Sequence, residues 1–179
     1  TQQYASLPGV PTGATFGCRL ADAAWIQFDA GVVSSNSVKK GHVARTTSGT
    51  TLHGSTWCVV GAMLTVVGST IQKTGRVTGT TSGTITEQCD DEFLPIPGGV
   101  DFIVEQCQTR ASVVAHQGDS GSPIYFPFLT IAQDAIALEG IVASGRNCNT
   151  GGQCLTISYP PVANIVADLG LGSWSAFLP

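Results

Sequence analysis

The chain has 179 residues, enough for one domain with a sizeable core and short for two. Only 11% of residues are charged against 42% hydrophobic, which excludes a disordered chain, and the net charge of −4 argues against nucleic acid as the main partner. No apolar run approaches the ~20 residues that cross a membrane as a helix.

Twenty-two glycines and nine prolines among many Ser, Thr and Val predict short strands joined by tight turns. Six cysteines in so small a β-rich chain point to disulfides and an extracellular protein, expected to be a monomer. The cysteines lack paired C-x-x-C spacing and the histidines are scattered, so no metal site is expected. No phosphate-cradling loop is present, and no cofactor is expected.

Residues Thr1 to Gly17 hold Pro8-Gly9 and Pro11-Thr12-Gly13, which read as loop and turn. After Asp22 the chain is apolar almost without a break to Phe28, a strand buried on both faces or a short core segment. An acid at the head of such a segment is half-buried and needs a partner, or else it caps a turn. Gly31 to Ser55 is polar and glycine-rich, with His42 and His53, and reads as loops and short strands. Trp57 to Val67 is apolar again and reads as a strand. From Ile71 to Thr86, glycines repeat among Thr and Val, the mark of bulged or sharply bent strands.

Cys89 and Cys107 end near-identical phrases, T-E-Q-C and V-E-Q-C, on either side of the Pro95–Gly99 turn. Strands folding back on that turn pair these two cysteines. In Gly118-Asp119-Ser120-Gly121-Ser122-Pro123 a serine between glycines stands on a tight turn with its hydroxyl projecting. The N–H groups of Gly118 and Ser120 then converge where they can hold the oxygen of an attacked carbonyl. Such a run is also what an ordinary surface turn contains. Ala137 to Gly145 is an apolar strand, and Cys148 and Cys154 bracket five residues and close a small loop. Cys18 and Cys58 are left over, to pair with each other or, for Cys18, with a partner upstream of Thr1. Pro161 to Gly170 has apolar residues at helical spacing between a proline and a glycine, a short helix.

The run G-D-S-G-S-P resembles the nucleophile loop of chymotrypsin-like serine proteases. The pattern D-A-A-x-I-x-F-D from Asp22 is similar to their triad-aspartate segment. The G-R-x-T-G-x-x-x-G-T-I run from Gly75 resembles the bacterial branch, and Ala137–Gly145 resembles the substrate-binding strand. The resemblance implies an all-β, chymotrypsin-like double antiparallel β-barrel, the first barrel incomplete, with a short C-terminal helix. It implies one protease domain: 1–55 as remainder of the first barrel and linker, 56–160 as second barrel, 161–170 as helix. Ser120 is then the nucleophile and Asp22 the carboxylate that orients a base histidine. Gly118 and Ser120 form the oxyanion hole, and Lys73 pairs with Asp119 to shape it. Val114, Ala115, His116 and Gln117 make the base and wall of the specificity pocket. Ala143, Ser144 and Gly145 bind substrate as an added strand, and Ala143 or Ser144 touches the triad aspartate. No Asp or Glu stands at 114–117, which disfavours cleavage after Arg or Lys and favours a medium to large apolar residue.

One departure matters. The family's triad runs His, Asp, Ser along the chain, and no histidine here precedes Asp22. Neither His42 nor His53 sits in a T-A-x-H-C context, and His116 reads as a pocket wall. The resemblance therefore implies a base histidine and an export signal upstream of Thr1, and 179 residues inactive by themselves. The expected function is a secreted serine endopeptidase acting through an acyl-enzyme on peptides or proteins, with no nucleic-acid or membrane partner. The alternatives are a protease-like binding or scaffold domain without a base, and an unrelated β-rich secreted binding protein. A drifting pseudoenzyme has no catalytic reason to keep Ser120, the oxyanion glycine and Asp22 together.

Overall fold

The computed structural model describes residues 16–21, 42–46, 52–63, 66–127 and 135–170. Among these the chain forms β1 (Phe16–Arg19), β2 (His42–Thr46), β3 (Leu52–Ala62), β4 (Thr70–Gly75), β5 (Gly79–Pro95) and β6 (Phe102–Ala111). It continues with β7 (Ala115–His116), β8 (Pro123–Pro127), β9 (Ala135–Ile141), β10 (Ser144–Cys148), β11 (Gln153–Tyr159) and α1 (Val162–Asp168). The all-β expectation with a short C-terminal helix holds.

The strands join in the order β10-β11-β6-β5-β4-β8-β9-β3-β2. The sheet closes on itself where β9 ends. Gly140 bridges to Pro161, and the Ala143 N–H donates to Ser158 O at 3.1 Å. The strands from β4 through β11 thus form an antiparallel barrel, with β7 on the β11 edge. β3 lies outside that ring, parallel to β9, and carries β2; β1 runs parallel to β6. The strand expected at Trp57–Val67 begins earlier, at Leu52, because its first residues pair with β2. It also ends earlier, and Val66 and Val67 are exposed in the turn before β4.

The β period of two sends Ile71, Ile85, Ala111, Val113, Ile124 and Ile157 into one core, with Val142 and Ala115 at its edge. A second cluster of Val59, Tyr125 and Ile136 packs against Trp57 and Leu138 between β3, β8 and β9. The long β5–β6 hairpin bulges at Cys89 and Cys107, whose backbones have φ of 56° and 54°. The disulfide Cys89–Cys107 staples the hairpin there. Asn164 of α1 donates to the Cys107 carbonyl at 3.1 Å, seating the helix on the bulge. Cys18 is exposed and free.

Candidate active site

The serine loop hangs between β7 and β8. Gly118 and Gly121 have φ of +98° and +81°, backbone that favours glycine, and the chain turns sharply at both. Around them the backbone N–H groups are nearly all engaged. Gln117 donates to Gly152 O, Asp119 to His116 O, Gly121 to Val142 O and Ser122 to Asp119 O, at 2.9–3.1 Å. Among the described residues, the N–H groups of Gly118 and Ser120 have no hydrogen-bond partner. Ser120 itself is exposed. Two unspent donors flanking an exposed hydroxyl can receive an anionic oxygen.

Asp119 anchors the loop from below. Its carboxylate is 1% exposed and meets Lys73 Nζ at 3.2 Å, with the lysine side chain fully buried. Its Oδ1 accepts the Val77 N–H at 2.8 Å, and its Oδ2 accepts the Thr78 hydroxyl at 2.6 Å and the His116 N–H at 3.1 Å. Burial opposes the Asp119 charge, but the Thr78 hydroxyl, the Val77 N–H, the Lys73 ammonium and the His116 N–H outweigh it. They hold its carboxyl at about 2, below the ordinary 3.8. Burial pushes the Lys73 ammonium below its ordinary value, with Asp119 pulling the other way. Lys73 also donates to the Thr78 hydroxyl and to Gly79 O. Gly75 makes this approach possible, since a Cβ there would lie 2.4 Å from Asp119 Oδ1.

Beside Ser120 opens a cavity of about 250 Å³. Of the residues expected around it, Ala115, His116, Gln117 and Gly145 line it together with Ser120. Val114, Ala143 and Ser144 lie off the lining. The Val114 carbonyl accepts the Thr81 hydroxyl at 2.8 Å, and Ala143 is spent in closing the barrel. The Ser144 hydroxyl turns to Glu92, donating to its Oε1 at 2.7 Å. Arg146 meets the same oxygen at 3.2 Å, so a carboxylate only 5% exposed is neutralised from β10. Asp22 lies outside the described residues, as do the side chains of His42 and His53, which stand in β2 and β3.

The expected disulfide Cys148–Cys154 is present, and it lines the cavity with two residues that were not anticipated, Val142 before β10 and Gly152 before β11. The disulfide stands so close to β10 that a Cβ at Gly145 would lie 2.5 Å from Cys154 Sγ. Thr78 was also missed, although it is the threonine of the G-R-V-T-G run. Among the described residues no carboxylate lines the cavity. Among the described residues no group of His, Cys, Asp and Glu is arranged to hold a metal ion.

No protein-family model and no curated protein match the sequence. Solved structures do. Nocardiopsis protease is 28% identical, over 76% of this chain and 62% of that one, with a TM-score of 0.52. Cellulomonas bogoriensis chymotrypsin is 27% identical, over 72% and 58%, with a TM-score of 0.50. A glutamic-acid-specific serine protease, described as using a histidine triad in substrate binding, is 23% identical over 75% and 60%, at 0.51. The chain thus spans about three fifths of the length of these structures. In its fold the chain is similar to these bacterial chymotrypsin-like serine proteases.

Proposed function

We propose that this chain acts as a secreted serine endopeptidase in which Ser120 attacks the peptide carbonyl and the N–H groups of Gly118 and Ser120 hold the resulting oxyanion. The observation that carries the reading is the selective sparing of those two N–H groups in a loop whose neighbouring donors are engaged. Developing charge on the carbonyl oxygen is then met by donors that need no rearrangement during the reaction. The buried Lys73–Asp119 pair supports that arrangement by fixing the loop from inside.

Ser120 needs a base to take its proton. In this reading the base is a histidine held in its working tautomer by Asp22. The residue before the cut enters the cavity lined by Ala115, Val142 and Gly145, and the acyl-side peptide pairs with β10. Cleavage after Arg or Lys is disfavoured because no carboxylate among the described residues lines that cavity. The two disulfides fit an oxidising, extracellular setting. No helix among the described residues is long and apolar enough to cross a membrane.

The test is peptide-library cleavage by the natural full-length protein and its Ser120→Ala variant. The reading predicts internal cleavage by the first and loss of about 10⁴-fold or more in the second, as for removal of a triad serine. A folded full-length protein that cleaves nothing contradicts it.

A further inference from the structure

Glu92 of β5 is a buried carboxylate, and among the described residues both of its partners stand on β10. The Ser144 hydroxyl donates to its Oε1 at 2.7 Å, and Arg146 Nη2 meets the same oxygen at 3.2 Å. Ser144 and Arg146 are two positions apart on one strand, so their side chains leave the same face of it. The position between them, Gly145, belongs to the opposite face and lines the cavity beside Ser120. β10 ends its sheet, and among the described residues it pairs on one side only, with β11. The Cys148–Cys154 disulfide ties down its far end, and Glu92 holds its near end.

From this geometry we propose that Glu92 is a positioning residue for the substrate. By gripping Ser144 and Arg146 together it fixes the orientation of β10, so that the peptide before the cut pairs along its open edge. The inference rests on the protease reading above and adds a residue that touches neither the substrate nor the reacting atoms. A peptide that adds to a sheet edge gains main-chain hydrogen bonds only while that edge keeps its register and twist. β10 is five residues long, and pairing with one neighbour alone is a weak hold on so short a strand. The grip comes from a stapled hairpin, since Glu92 lies three positions from Cys89 and its disulfide to Cys107. Opposite Glu92 on β6 stands Glu105, also buried, whose Oε1 accepts from Arg19 of β1 at 3.0 Å. Carboxylates facing each other across a ladder repel unless each finds a cation. Glu105 draws Arg19, and Glu92 draws Arg146, which directs its pull onto β10.

The test compares kcat/KM of the natural full-length protein for two anilides. The short one is the acetylated anilide of the residue that library cleavage favours, which fills the cavity alone. The long one is the same anilide extended by three alanines, which also reaches β10. In wild type the long substrate is expected to exceed the short one by about a hundredfold, as two strand hydrogen bonds at about tenfold each give. Glu92→Leu with Arg146→Met removes the grip without stranding a buried charge, and should cut that ratio by about tenfold. Glu92→Gln keeps an acceptor for the Ser144 hydroxyl but drops the charge, and should cut it by about threefold. Both substrates report on the same folded fraction, so a loss of stability alone leaves the ratio in place. An unchanged ratio in Glu92→Gln or in the folded double variant overturns the proposal, and Glu92→Gln decides alone where the double variant does not fold. Equal cleavage of the two substrates by wild type overturns it as well and leaves the assignment of Ser120 standing. Cleavage of neither by the folded wild-type protein removes the protease reading and this proposal with it.

Discussion

Lys73 Nζ and Asp119 Oδ2 meet 3.2 Å apart beneath the serine loop, with both side chains at or below 1% exposure. Removing one partner of such a pair leaves the other charge buried and uncompensated. Lys73→Met is therefore expected to destabilise the protein by about 3–5 kcal/mol and to loosen the turn around Ser120. Replacing both partners, as Lys73→Met with Asp119→Leu, should recover part of that loss. Urea unfolding of the three proteins measures it, and a single variant within ~1 kcal/mol of wild type would detach the loop from the pair.

Acid should act through the same carboxylate. Asp119 titrates at about 2 in the folded protein, below its ordinary 3.8. A depressed carboxyl contributes stability that is complete above about pH 4 and disappears as pH falls through about 2. Unfolding midpoints followed from pH 5 to pH 2 should fall more steeply in wild type than in Asp119→Asn. Equal slopes would assign the acid loss to other carboxylates.

Gly75 offers a steric check on the same anchor. An added Cβ would lie 2.4 Å from Asp119 Oδ1 and 2.9 Å from Ser122 Oγ, while Gly17 has nothing within 4 Å of the equivalent point. The Asp119 carboxylate cannot move aside without giving up several hydrogen bonds. Gly75→Ala is expected to cost about 1–3 kcal/mol, as overpacking does, and Gly17→Ala less than about 1 kcal/mol. Thermal unfolding of the two variants decides, and similar small effects would show that the loop yields easily.

The hairpin disulfide joins cysteines 18 positions apart. Cross-linking a loop of that size removes unfolded-state entropy worth about 3 kcal/mol. Replacing both Cys89 and Cys107 by serine should lower stability by roughly that amount, read from the denaturation midpoint. A change below about 1 kcal/mol would mean that the bulged strands hold their pairing unaided.

Much of this arrangement was legible in the sequence. The serine loop could be read because glycines flank a short acidic-serine pair, and the hairpin because two similar phrases bracket a Pro/Gly turn. The cavity wall was harder. Val142, Gly152 and the Cys148–Cys154 bridge reach it only through the pairing of β10 and β11 and the barrel closure at Ala143. Glu92 gave no signal either, since a charged hairpin residue is expected in water. It is buried because Ser144 and Arg146, from a strand distant in sequence, supply its partners. The start of β3 was obscured by His53-Gly54-Ser55, polar residues kept in a strand by pairing with β2.

The most direct measurement is the reaction of the natural full-length protein with a fluorophosphonate, followed by mass-spectrometric mapping of the adduct. An activated serine beside two spare N–H donors should be phosphonylated at Ser120 alone, and Ser120→Ala should abolish the labelling. A folded full-length protein that resists the probe, or an adduct on a different serine, would contradict the assignment of Ser120 as the nucleophile.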